Sequence, residues 1–147
     1  MEDASVSRVG ELWQRVQRGT RKALTTSYRT DAKNLLMYTN ELQNAFPIYA
    51  AAKTPEKLKP IVDRILNIFT SKTGTIYDSR LKATQTERET VDVSLINTLM
   101  SLVNLSTRMA NHTDSDIKSY GAKLNKQATQ LQEGLVQTAP LPPPVVT

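Results

Sequence analysis

The side chains that most often run chemistry are scarce in this chain. His112 is the one histidine, it stands in the polar run Asn111-His112-Thr113-Asp114, and there is no cysteine. Thiol catalysis, disulfide frameworks and Cys-ligated zinc are therefore excluded, and a two-histidine metal site cannot form within one chain. A general base needs a nucleophile to serve and a carboxylate to orient it, and no such set surrounds His112, which reads as a solvated loop residue. Ser71-Lys72-Thr73-Gly74 carries the letters of a phosphate loop in the wrong order and without the preceding glycine. Asp114 and Asp116 open like a calcium loop whose remaining ligands do not follow. Glu87, Glu89 and Asp92 fit the acidic start of a helix, which the helix dipole favours, better than a catalytic pair. The expectation is a chain that is not an enzyme and uses no cofactor or metal.

Three other patterns are compatible with binding. Arg8, Arg15, Arg18 and Lys22 recur at helical spacing opposite an apolar stripe, with Arg21 beside them. Seven basic residues between Arg8 and Lys33 face only Glu11 and Asp31, so this segment can carry the whole net charge of +5. Such a helix suits an anionic membrane or nucleic-acid phosphates, and Trp13 on the apolar side suits an interface. The plainer alternative is a bundle helix with its charged side in water, favoured because no aromatic residues interleave with the arginines as stacking platforms. A second pattern is surplus apolar surface. Val91 to Ala110 is apolar well beyond one stripe, and the following segment places Ile117, Tyr120 or Gly121, Leu124, Ala128, Leu131 and Leu135 on a coiled-coil seam. Much of this must be an internal core, yet a short bundle buries a modest fraction of its surface, so Leu95, Leu99, Leu102, Val103, Leu124, Leu131 and Leu135 are candidates for packing against partner helices, from a second copy or from other helical subunits. The third pattern is Pro140, Pro142, Pro143 and Pro144, formally compatible with a polyproline-binding module of the SH3, WW or EVH1 kind. No basic residue flanks it, which favours a plain flexible terminus.

The elements that must position these residues follow from periodicity. Apolar residues recur three and four apart with little period-2 alternation, so the fold class is all-α, an elongated antiparallel bundle of four to five helices ending in a Pro-rich tail. Residues 5 to 26 form an amphipathic helix, weakened by about 1 kcal/mol at each of Gly10 and Gly19. A stretch from Asp31 to Ala45 either continues it or follows a break at Thr25-Thr26-Ser27, with Thr30 as N-cap and Leu35, Leu36, Tyr38, Leu42 and Ala45 buried. Phe46-Pro47 is expected to end it, and Thr54-Pro55 to start the next helix. That helix turns Leu58, Ile61, Val62, Ile65, Ile68 and Phe69 inward, and Ile76, Tyr77 and Leu81 extend it past Gly74. Thr84-Gln85-Thr86-Glu87 has capping-box spacing ahead of the fourth helix, and Thr113 with Asp116 has it ahead of the fifth. Gly134 and the prolines stop that helix.

A chain of 147 residues makes one domain, read here as an extension over residues 1 to 4, a bundle over 5 to 136 and a tail over 137 to 147. With aromatic residues at 5%, its core falls to aliphatic side chains. No apolar run approaches the roughly 20 residues of a membrane span, and the acidic, polar start is unlike a secretory signal, so an intracellular, cytoplasmic location is expected. The architecture resembles small subunits of multiprotein helical assemblies and small viral structural proteins. That resemblance implies a non-catalytic scaffold, or alternatively a structural protein on nucleic acid or membrane.

Overall fold

A computed structural model describes the backbone of residues 8 to 71 and 75 to 138, and the side chains of residues 28 to 71 and 75 to 135. The expected extension and the prolines from Pro140 to Pro144 lie outside the described residues, as do the side chains of Arg8, Arg15, Arg18, Arg21 and Lys22. The described chain is helical throughout: α1 (Arg8–Ala51), a 3-10 turn (Pro55–Leu58), α2 (Lys59–Thr70), α3 (Ile76–Lys82), α4 (Gln85–Ala110) and α5 (Ser115–Thr138).

The first two expected helices are one. Thr30 is an interior residue of α1, and the helix also runs through Pro47, where the sequence predicts a stop. A proline inside a helix loses one backbone bond and crowds the carbonyl four residues back. Pro47 lies on the exposed side of the helix, away from the packed core, while Phe46 just before it is anchored in the core. The actual end comes one turn later. Thr54 N–H bonds to the Tyr49 carbonyl at 2.9 Å and Lys53 N–H to that of Ala50 at 3.2 Å, with Lys53 left-handed at φ 59°. This is a Schellman cap with lysine where glycine is usual.

Tyr28, Ala32, Leu35, Thr39, Leu42 and Phe46 form the buried seam of α1, spaced four and three apart. Leu36 is exposed, and Tyr38 and Ala45 are half-buried, because they flank that seam. The inner face of α2 is buried as expected at Leu58, Ile61, Val62, Ile65 and Phe69, with Ile68 half-buried. It does not continue into residues 76 to 81: α3 is a separate helix with its own capping box, in which Thr75 Oγ1 accepts from Asp78 N–H at 3.1 Å and Asp78 accepts from Thr75 N–H at 3.4 Å. Leu81, expected inside, is exposed.

Arg29 meets Glu87, Tyr28 meets Asp92 and Phe46 meets His112, so α1 and α4 run parallel. Antiparallel order holds for two other pairs: α2 returns along α1, with Lys57 over Tyr49 and Arg64 over Tyr38, and α5 returns along α4, with Asn125 bonded to Ser106 and Thr107. The α4–α5 contact is the tightest. A Cβ built on Gly121 would lie 2.3 Å from the Ala110 nitrogen, so between Tyr120 and Gly121 it is the glycine that occupies the seam.

Candidate functional site: a buried charge network and the surfaces around it

The buried charged residues of the described chain, Arg80 and Glu87, come together with Ser79 where α1, α3 and α4 meet. α3 has only seven residues, and it turns Ser79 and Arg80 into the protein while leaving Leu81 in water. Arg80 is 2% exposed and forks onto one carboxylate, Nε to Asp92 Oδ1 at 3.0 Å and Nη2 to Oδ2 at 2.8 Å. Tyr28 of α1 donates its hydroxyl to the same Asp92 Oδ1. A second fork lies beside it, Arg29 Nε to Glu87 Oε2 at 2.9 Å and Nη2 to Oε1 at 2.7 Å, with Glu87 buried and Arg29 largely in water. Ser79 Oγ sits 3.1 Å from Asp31 Oδ2 and 3.0 Å from the Ile76 carbonyl.

Buried charges are tolerable only when paired and hydrogen-bonded, and planar forks satisfy several donors at once. Each pair here joins two elements: Arg80–Asp92 joins α3 to α4, Arg29–Glu87 joins α1 to α4, and Ser79–Asp31 joins α3 to α1. Within its seven residues α3 gives the core only Ile76, with Tyr77 packed against it, so the network adds to a small apolar anchor in orienting the helix. One donor, Arg80 Nη1, is buried with no hydrogen-bond partner.

The electrostatics make these groups poor chemists. Burial, reinforced by the bond to Asp92 and its charge, pushes the Tyr28 phenol far above its ordinary value, so it is a fixed donor and no base or nucleophile at neutral pH. The hydrogen bond to Asp92 holds Arg80 cationic. Burial raises Asp31, against the lowering effect of Ser79.

His112 has a structural task that its position in a polar run does not advertise. Its Nδ1 accepts from Asp114 N–H at 3.0 Å, and its ring packs edge-on to Phe46 at 5.9 Å and 73°, tying the α4–α5 turn to α1. It is half-buried, which corrects the solvated-loop expectation. The N-cap of α5 also shifts by one residue: Asp114 Oδ1, and not Thr113, accepts from the N–H groups of Asp116 and Ile117 at 2.9 and 3.0 Å. At the start of α4 the Thr84 side chain caps Glu87 N–H as its spacing predicts, but Glu87 turns to Arg29 and leaves the box half-made.

Leu95, Leu99, Leu102 and Leu124 have no exposure, Leu131 and Leu135 have 7% and 3%, and Val103 is half-buried against the same core. These candidates are occupied by the chain's own packing, so they offer no free surface to a partner. What α4 leaves in water is a different line, Val93, Ile96 and Met100, 64%, 40% and 52% exposed. Its spacing of three and four places all three on one outer stripe, flanking the α5 seam.

Two hollows lie on the described surface. One of about 290 Å³ lies between α3 and α5, floored by Phe69, Ile76 and Leu131 with Tyr77, Gln127 and Gln130 at its walls. The other, about 420 Å³, separates α1 from α2, and its cations are engaged: Arg64 pairs with Glu41 at 3.3 Å and Lys57 covers the Tyr49 ring. Among the described residues no group of three acidic or histidine side chains could hold a metal ion, and no helix is long and apolar enough to cross a membrane. The chain matches no protein-family model, and no curated protein or solved structure is significantly similar to it.

Proposed function

We propose that this chain is a non-catalytic assembly subunit, a scaffold that packs helix against helix with copies of itself or with other helical proteins. The observation that carries the proposal is the outer stripe of α4. Single exposed apolar residues are ordinary on a protein surface, but three aligned on one helix are the geometry with which a partner helix is met. The partner-facing residues are Val93, Ile96 and Met100, while Leu95, Leu99, Leu102, Leu124, Leu131 and Leu135 supply the rigid bundle that presents them.

The test is affinity purification of the intact chain from its native source at mild salt, beside an Ile96→Glu/Met100→Glu variant. Both residues face water, so the variant keeps its fold within about 0.5 kcal/mol. A helical protein set at fixed stoichiometry, retained by the natural chain and lost from the variant, is the expected result. Equal recovery by both would sink the role of α4.

The basic residues Arg8, Arg15, Arg18, Arg21 and Lys22, all within α1, favour a second reading, a structural protein on an anionic surface of nucleic acid or membrane. That reading predicts bound polyanion that washes off steeply with salt, because each phosphate contact releases a counterion. Binding of a polyproline module at Pro140 to Pro144 would add to either role.

A further inference from the structure

The outer face of α4 is unlike that of its neighbours. α2 turns Lys59, Asp63 and Arg64 to water and α5 turns Lys118, Lys123 and Lys126, whereas every exposed residue of α4 between Glu89 and Arg108 is uncharged. Asp92, the one charged residue inside that interval, is engaged with Arg80 and Tyr28. From Thr90 to Thr107 the neutral stretch is about 26 Å long. It also points directly away from the core. At about 100° of turn per residue the buried Val91, Leu95, Leu102 and Met109 share one direction, and Val93 and Met100 stand opposite it, with Ile96 on one flank and Asn97 on the other.

The two ends of the stretch are charged, and with opposite sign. Among the described residues Glu89 accepts a hydrogen bond from the neutral amide of Gln85 at 3.1 Å and has no ion pair, and Arg108 is exposed and has none either. An identical helix laid alongside in the same direction sets Glu89 against Glu89 and Arg108 against Arg108, two like-charge contacts. Laid in reverse, it brings Glu89 of each copy within reach of Arg108 of the other, a match that two-fold symmetry makes twice.

The same reversal matches the apolar residues. With the symmetry axis level with Thr98, Ile96 lies across from Met100 of the second copy and Val93 across from the half-buried Val103. Asn97 then stands beside its own counterpart, and a side-chain amide can both donate to and accept from its twin. We infer that α4 pairs antiparallel with α4 of a second copy of this chain, about a two-fold axis level with Thr98. Such pairing rests on the assembly role proposed above and names its partner and its geometry.

The chain has no cysteine, so one introduced cysteine reports on one position. The experiment is sedimentation equilibrium of the full chain, joined to oxidative crosslinking of the Asn97→Cys, Glu89→Cys and Arg108→Cys variants. Expected is a dimer in which Asn97→Cys crosslinks to its counterpart, while Glu89→Cys and Arg108→Cys, each roughly 27 to 30 Å from its counterpart in the reversed arrangement, do not. Ile96→Glu/Met100→Glu weakens the dimer about a hundredfold or more, Glu89→Arg weakens it about tenfold, and Glu89→Arg/Arg108→Glu restores it to within about threefold. Far-UV circular dichroism and urea midpoints show that each variant keeps the bundle. A dimer that survives Ile96→Glu/Met100→Glu, or one in which Glu89→Cys crosslinks and Asn97→Cys does not, overturns the antiparallel pairing. A monomer at every concentration overturns it too. In that case purification from the native source with the same double variant separates a stripe that serves another helical protein, which keeps the assembly role, from one that holds nothing, which removes both.

Discussion

Arg80 and Asp92 are bonded to each other but do not stand in equal surroundings, and that inequality sets the cost of losing either. The Arg80 side chain is 2% exposed and that of Asp92 22%. Breaking a buried pair by removing one partner costs about 3–5 kcal/mol, because the survivor is left charged without compensation. Asp92→Leu strands a guanidinium that has no water and an Nη1 already unpartnered, and it also takes the acceptor from the Tyr28 hydroxyl, so about 4 kcal/mol is expected. Arg80→Met strands a carboxylate that keeps Tyr28 as donor and one-fifth of its surface in water, so about 2 kcal/mol is expected. The double variant Arg80→Met/Asp92→Leu removes both charges and fills their place with apolar side chains, and should cost only about 1–2 kcal/mol, mostly the orphaned Tyr28 hydroxyl. Adding Tyr28→Phe should recover that remainder. Urea unfolding at pH 7, followed by far-UV circular dichroism, measures each step. Additive single effects, or an Arg80→Met cost equal to or above that of Asp92→Leu, would refute the assignment of this network as a buried clamp on α3.

Three further outcomes follow from other parts of the fold. Tyr28 holds its proton in the folded chain above the ordinary phenol value of 10.0, so its contribution is complete below pH 10 and is lost as pH rises beyond it; urea midpoints at pH 9 to 11 should show the natural chain losing about 1.4 kcal/mol per pH unit more than Tyr28→Phe above pH 10. At Gly121 a methyl would fall within 2.7 Å of Met109 Cβ and 2.3 Å of the Ala110 nitrogen, backbone that cannot step aside; Gly121→Ala should lower stability by about 1–3 kcal/mol despite alanine's better helix propensity, and a thermal melt at or above that of the natural chain would contradict the close crossing. Asp114→Ala removes the cap of α5 and should cost about 1 kcal/mol, while Thr113→Ala should leave the midpoint unchanged; the reverse order in paired denaturation curves would restore Thr113 as the cap.

The all-helical fold, the inner face of α2, the cap at Thr84 and the seam of α5 were legible from spacing alone, because a period near 3.6 admits one apolar face and a hydroxyl three residues ahead of an N–H acts locally. Boundaries that depend on distant support were not. The helix passes Pro47 because Phe46 is held by the core and Pro47 lies on the exposed side of the helix, and neither is a property of residues 46 and 47 themselves. Thr75 and Asp78 have the capping spacing that marks α3 as separate, a signal masked by the apolar run of Ile76, Tyr77 and Leu81.

Polarity was the larger gap. By composition Leu81 belongs inside and Arg80 outside, and the fold reverses them, since Asp92 and Tyr28 offer buried partners that only tertiary contact supplies. The same holds for α4. Its sequence shows too much apolar surface for one stripe, but which part is left over depends on where α1 and α5 lie, and their packing takes Leu95, Leu99 and Leu102 and leaves Val93, Ile96 and Met100. The sequence by itself determined that the chain is helical, where its charge lies and that no catalytic set is spelled out, because these depend on residue type and short spacing. The tertiary structure alone decided which polar groups are buried and which apolar groups are free, because burial is set by residues 12 to 64 positions away along the chain.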